Sequence, residues 1–420
     1  MMEGMISLFP SPDASQPSYY RALRASLGAG ALGDALGYRL ELLSWEQMQE
    51  TYQVSNPADL LDCLLHDEEG FLVSDDTQLT FASLDGLTEV LEWNNQGQGA
   101  DELACLWLSY LRWYSGLGYP LPEQAPFSLA RPLNGLDFMQ SKRGPGAATL
   151  KALGSGQMQY VQKNLNPQAL GTGALLRSAP FGYLPVADPS TVISLSIQAA
   201  ALTHGHPEAL ASAAAYALLI RHLLGPRQSS GQPLAQAAQA LSSWWTSPEA
   251  DRLLPSERQQ TGLYLAMASE GGLSLQELWE QRQQWGNLWL APNCLGYALA
   301  LALAAEAQLS AAGPLAQDFE GLWLSSLPFA LALEGDSDSL GALLLSLLGA
   351  AYGADYLAPS PDLGGSDSPS PDSSSPDLGG PDLGNQQGTR QLARLLERLD
   401  AYPGLDLLVG QWGRQLGYQA

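Results

Sequence analysis

The sequence predicts an all-α protein, and three observations predict it. Only seven Val and four Ile occur in 420 residues while Ala and Leu abound; strands draw on β-branched residues, helices on Ala, Leu, Gln and Glu. Apolar residues recur at three- and four-residue steps through most of the chain. No internal repeat emerges, so the helices belong to a single large domain rather than a solenoid.

Taken in order, the periodicity predicts helices over residues 19–38, 78–93, 101–115, 146–154, 190–202, 207–224, 233–245, 256–269, 294–308 and 340–353. Residues 1–18 read as an N-terminal tail and 19–358 as the helical domain. In the first helix Tyr20, Leu23, Leu27 and Ala31 share one face. It runs into GAGALGDALG at 28–37, where Gly28, Gly30 and Gly33 spell a dinucleotide-binding GxGxxG. That fingerprint requires a strand before the glycines, and a helix stands there instead. Ala29, Gly33 and Gly37 form a small-residue stripe that lets a helix or a ligand approach the backbone closely. The apolar runs LGYALALALAA and LGALLLSLLGAAYG fall short of the roughly 18 residues of a spanning helix and read as core helices.

Residues 359–388 carry no aromatic residue, Lys or Arg, and place Asp362, Asp367, Asp372, Asp377 and Asp382 five apart. So much Pro, Gly and Ser buries too little apolar surface to offset chain entropy, which predicts a disordered insertion. A calcium role for its aspartates would lack a folded frame. Residues 389–420 resume helix, beginning with TRQLARLLERL, and are expected to pack back on the domain.

A net charge of −24 disfavours nucleic-acid and anionic-membrane partners. Cys63, Cys105 and Cys294 are odd in number and lack metal-like spacing. With no basic, apolar leader at the N-terminus, a cytoplasmic protein is expected. Oligomeric state is not legible.

Two acidic clusters, SDDTQLT at 74–80 and EGDSDSLGA at 334–342, each stand directly before an apolar helical segment. Either alone fits helix capping, because Ser and Asp satisfy N-terminal amides and suit the positive end of the dipole. As a pair they suggest more. Asp336 and Asp338 converge only in a turn, where their repulsion calls for a cation, and Asp75 and Asp76 behave alike. With the hydroxyls of Ser74 and Ser339 they make an all-oxygen set suited to two Mg²⁺ ions, or Mn²⁺, and not to zinc or copper.

Six motifs occur in one order: GALGDALGYRLE from residue 30, SDDTQLT, RGPGAATL at 143–150, GTGALLRSAPFG at 171–182, THGHPEALASAAAYA at 203–217 and GDSDSLGA at 335–342. That series resembles the ADP-ribosylglycohydrolase family, which includes dinitrogenase reductase-activating glycohydrolase and the ADP-ribosylhydrolases. The resemblance covers about residues 21–355. It implies an all-α domain around a binuclear Mg²⁺ or Mn²⁺ cleft, and hydrolysis of the glycosidic bond between ADP-ribose and a protein side chain or other acceptor. Its ligand positions fall on Ser74, Asp75, Asp76, Asp336, Asp338 and Ser339. The family commonly has Thr where this chain has Ser74 and Ser339, and Cys or Asn where it has Thr172, a departure that bears on acceptor selectivity. Asp34 reads as a capping group rather than a ligand.

The resemblance also places Glu41 beside the metals, where it would position water or gate entry, and His204, but not His206 or His222, near the substrate. Gly146, Gly171 and Gly173 could let backbone amides approach the diphosphate. Cleavage passes through an oxocarbenium-like state that needs an activated water, whose proton a ligand carboxylate such as Asp336 would accept. A non-catalytic member of the same fold, as certain lens crystallins are, is the alternative, and the complete oxygen set favours activity. Which acceptor is cleaved is not legible.

Overall fold

The computed structural model describes residues 2–67, 69–226, 231–270, 272–311, 319–356 and 384–418, and these contain twenty α-helices and no β-strand. The N-terminal half holds α1 (Met2–Leu8), α2 (Pro17–Tyr38), α3 (Trp45–Tyr52), α4 (Pro57–His66), α5 (Asp75–Asn95), α6 (Glu102–Gly116), α7 (Ala147–Gly154), α8 (Gly173–Leu176), α9 (Ala179–Gly182) and α10 (Pro189–Ala201). There follow α11 (Pro207–Leu224), α12 (Pro233–Trp245), α13 (Pro248–Leu253), α14 (Gln259–Glu270), α15 (Leu275–Glu280), α16 (Ala291–Ala311), α17 (Phe319–Leu331), α18 (Ser337–Tyr356), α19 (Gly384–Glu397) and α20 (Tyr402–Gln415). The all-α class expected from composition and periodicity is the observed one.

Every helix expected from periodicity is present, and the differences lie at the ends, in short pieces and in α17, a 13-residue helix containing Pro328 for which no helix was expected. The N-terminal segment expected as a tail contains α1, and it buries Met5 and Phe9 against the core. Helices α3, α4, α13 and α15 have ten residues or fewer, too short for a periodic pattern to stand out. Of the insertion expected over 359–388, residues 359–383 lie outside the described residues, and α19 already begins at Gly384. Helices α16 and α18 prove long and apolar enough to cross a membrane, but their windows are 67% and 94% buried inside the protein, which makes them core helices.

The small-residue stripe of α2 meets α18. A Cβ on Gly33 would overlap the Gly341 carbonyl, and one on Gly341 would stand 2.6 Å from the Gly33 carbonyl. Higher up the pair, a Cβ on Gly349 would come 2.5 Å from Ala25 O, and Ser26 Oγ lies 2.9 Å from Ser346 Oγ. The two backbones touch because neither helix offers a side chain to hold them apart. This contact brings the first turn of α18 to the C-terminal end of α2, where Ser337 Oγ donates to the Gly37 carbonyl at 2.9 Å.

Three buried carboxylates hold helix N-termini that lie far away in sequence. Glu208 accepts from the amides of Gln260 and Thr261 at 2.8 and 2.9 Å, at the start of α14. Glu306 takes the amides of Leu234 and Ala235 at the start of α12, and the Tyr352 hydroxyl at 2.6 Å. Asp34 does the same for α5. Each satisfies amides that the helix itself leaves unpaired, with charge of the sign the dipole favours.

Candidate active site

The N-terminus of α5 is tied to α2 through Asp34. This fully buried carboxylate accepts from the Ser74 amide at 3.1 Å, from the Thr77 amide at 3.1 Å and from the Thr77 hydroxyl. Ser74 caps the helix, its Oγ accepting from the Asp76 amide at 3.1 Å. Asp75 turns the other way: its amide donates to the Arg143 carbonyl at 3.0 Å, and its Oδ2 receives the Gly146 amide at 3.4 Å. Gly146, expected to offer its amide to a diphosphate, is thus directed at Asp75.

The N-terminus of α18 supplies the facing groups. Gly335 has φ +118, a conformation L side chains rarely adopt, and it turns the chain into Asp336, Ser337 and Asp338. Carboxylate oxygens of Asp76, Asp336 and Asp338 all lie within 4.8 Å of one another, although Asp76 is 260 residues from Asp336 in sequence. Two hydroxyls knit the cluster. Thr172 donates to Asp336 Oδ2 at 2.8 Å, and Ser339 Oγ stands 2.7 Å from Asp76 Oδ2 and 3.1 Å from Thr172 Oγ1. Asp338 Oδ1 is buried without a hydrogen-bond partner.

Burial and mutual repulsion raise the carboxyl pKa of Asp75, Asp76 and Asp336 well above the ordinary range, and burial raises that of Asp338. Every charge acting on Asp76 is another acid: Asp338, Asp75, Asp336 and Asp34. Buried like charges with an unpartnered oxygen are costly unless a cation compensates them. The donors are all oxygen, as a hard divalent ion requires. The residues present therefore fit a hard divalent cation, with Asp76, Asp336 and Asp338 converging and Ser74, Asp75 and Ser339 adjoining them.

Glu41 follows α2 and is half buried, its pKa pushed up to about 7 by burial and then by the Asp338 charge. His204 is buried and neutral, pushed down to about 3 by burial and the Arg177 charge. Its Nδ1 lies 2.7 Å from Thr203 Oγ1, which in turn accepts from Arg177 at 2.6 Å. The rest of the ring faces Gly171 and Gly173: Cβ atoms there would stand 3.9 Å from Nε2 and 3.6 Å from Cε1. Sequence reasoning missed Thr203 and Arg177 as the supports of His204, and Trp289 beside Gly335. Only the short spacing of Arg177 from Thr172, inside the GTGALLR motif, could have signalled any of them.

With this geometry in view, the profile of the ADP-ribosylglycohydrolase family matches residues 15–360. Among solved structures the chain is similar to one titled "ADP-ribosylglycohydrolase-related protein complex", with 22% identity and a TM-score of 0.50, covering 95% of this chain and 98% of that one. This likeness bears on the fold. Comparison with curated proteins gave no match.

Proposed function

The chain belongs to the ADP-ribosylglycohydrolase family, and from that membership we propose a divalent-metal-dependent hydrolase that cleaves the glycosidic bond joining ADP-ribose to an acceptor side chain. The observation that carries the metal dependence is the convergence of Asp76, Asp336 and Asp338 around an unpartnered buried oxygen. Asp76, Asp336 and Asp338 would hold two magnesium ions, with manganese as the alternative, and Ser74, Asp75 and Ser339 would complete the set. Bound there, the ions would supply positive charge to developing oxyanions and fix the ribose hydroxyls.

The chain's own groups do the remaining work. Asp336, oriented by Thr172, accepts a proton from the attacking water. Glu41, half buried and close enough to feel the Asp338 charge, would position that water. His204 stays neutral, and with Gly171 and Gly173 it lines the side where the ADP-ribose would lie.

The test is incubation with ADP-ribosyl-arginine, ADP-ribosyl-serine, O-acetyl-ADP-ribose and an ADP-ribosylated oligonucleotide end, with Mg²⁺ or with EDTA, measuring free ADP-ribose. Release from at least one conjugate should need Mg²⁺ and fall by about a hundredfold or more in Asp336→Ala Asp338→Ala. Release that ignores the chelator defeats the metal reading, and no release from any conjugate defeats the hydrolase reading.

A further inference from the structure

The stretch that carries Ser74, Asp75 and Asp76 is held from two sides. Asp34 of α2 takes the amides of Ser74 and Thr77. The other side is the C-terminal segment, which lies beyond residue 360, where the family profile ends. Residues 398–400 follow α19 and run beside residues 71–73: the Phe71 amide donates to the Arg398 carbonyl at 3.0 Å, and the Asp400 amide to the Phe71 carbonyl at 3.0 Å. Arg398 donates to the carbonyls of Leu65, Asp67 and Glu69, and its guanidinium lies 4.2 Å from the Phe71 ring centroid.

Asp400 closes a ring of contacts. Its Oδ1 accepts from the Val73 amide at 3.2 Å, and its Oδ2 forms an ion pair with Arg143 at 2.5 Å. Arg143 in turn donates to the Val73 carbonyl at 2.9 Å, and its own carbonyl accepts the Asp75 amide at 3.0 Å. Val73 is buried, and the side chains of Arg143 and Asp400 are only 12% and 23% exposed, which sets this pair apart from the exposed kind that contributes little. Removing Asp400 would leave the Val73 amide without an acceptor and the Arg143 guanidinium without its counter-charge in a largely buried place.

Sealing the core at this edge asks only for apolar contact, which buried Phe71 and Leu399 supply. The ion pair and the side-chain hydrogen bonds add direction, and they add it next to the ligands. With Asp34 and the Ser74 cap, every amide from Val73 to Thr77 has an acceptor. Partners that orient ligands in this way are worth about 10–100-fold in metal affinity.

We propose that the C-terminal segment is part of the metal centre, with Asp400 a positioning residue that acts through Val73 and Arg143 on the turn presenting Asp75 and Asp76. This rests on the metal-dependent reading above.

The test is Mg²⁺ titration of the full chain by calorimetry in the wild type, Asp400→Ala, Asp400→Asn, Arg143→Ala and the double variant Asp400→Ala Arg143→Ala. Asp406→Ala is the control, since Asp406 lies in the same C-terminal segment and pairs with Arg24 at 2.5 Å on a more exposed surface. Asp400→Ala should bind Mg²⁺ at least about tenfold more weakly. Asp400→Asn keeps an acceptor for the Val73 amide and should fall between Asp400→Ala and the wild type. The double variant should be about as weak as the weaker single one, because both residues act through one ring of contacts. Asp406→Ala should match the wild type. Wild-type affinity in Asp400→Ala, losses that multiply in the double variant, or an equal loss in Asp406→Ala would overturn the proposal. Should Asp400→Ala not fold, wild-type affinity in Asp400→Asn overturns it instead. Failure of the metal reading looks different, since the wild type then takes up no Mg²⁺. In that event hydrogen exchange without metal decides whether Asp400 sets the turn: faster exchange over residues 73–77 in Asp400→Asn, with α14 unchanged, supports it, and unchanged exchange overturns it.

Discussion

At Thr172 one hydroxyl joins groups from two distant parts of the chain. It donates to Asp336 Oδ2 at 2.8 Å and stands 3.1 Å from Ser339 Oγ, whose single proton goes to the better acceptor, the Asp76 carboxylate at 2.7 Å. Thr172→Val keeps the shape and removes the donor, so Asp336 loses the bond that fixes its rotamer. Partners that orient a ligand carboxylate are worth about 10–100-fold in metal affinity. Mg²⁺ titration by calorimetry should therefore show Thr172→Val at least about tenfold weaker, with Thr172→Ser close to wild type. Unchanged affinity in the valine variant would remove Thr172 from the metal site. The three acids that converge, Asp76, Asp336 and Asp338, were legible in the sequence as members of two matching clusters. The part played by Thr172 was not, because its partner lies 164 residues away and nothing local marks the contact.

Helices α2 and α18 show the same contrast between local and distant information. The glycine stripe of α2 was legible as a place of close approach, and its partner was not, since Gly33 and Gly341 meet only in the folded chain. Capping by Asp34 was legible as a role, though not which helix it serves, while capping by Glu208 and Glu306 was hidden, because each carboxylate serves a helix other than its own. Gly33→Ala sets two effects against each other. Alanine gains about 1 kcal/mol of helix propensity. Its Cβ, however, would overlap the Gly341 carbonyl, backbone that cannot swing aside, and overpacking of this kind costs about 3 kcal/mol. The clash wins, so Gly33→Ala should lower stability by about 2 kcal/mol in urea denaturation. Gly4→Ala, whose Cβ meets nothing within 4 Å, should be neutral or slightly stabilising. Equal behaviour of the two variants would mean that α2 and α18 are not in backbone contact.

For the whole molecule, the acids gathered by that helix pair make stability depend on pH and on metal together. Asp34 and Glu41 rise from 3.8 and 4.5 to about 7, both through burial first and the Asp338 charge second. A carboxyl whose folded pKa is raised contributes stability that is complete below its unfolded pKa and is lost as pH climbs through the folded value. For these two groups the loss falls between about pH 4 and pH 7. His204 acts in the opposite sense. Lowered from 6.5 to about 3, it withdraws stability as pH falls below 6.5. The melting temperature alone therefore mixes two trends, while the difference between Mg²⁺ and EDTA isolates the acidic cluster, because His204 titrates alike in both. At pH 5 protons already relieve much of the repulsion and compete with the ion. At pH 8 only a cation can relieve it, so the Mg²⁺-induced rise in melting temperature should be larger at pH 8 than at pH 5, by about 1 °C for each 1 kcal/mol of differential in a chain of 420 residues. Asp336→Ala Asp338→Ala should show no rise at either pH. A wild-type rise of the same size at both pH values would mean that the ion binds elsewhere and that the buried acids of α5 and α18 are not its site.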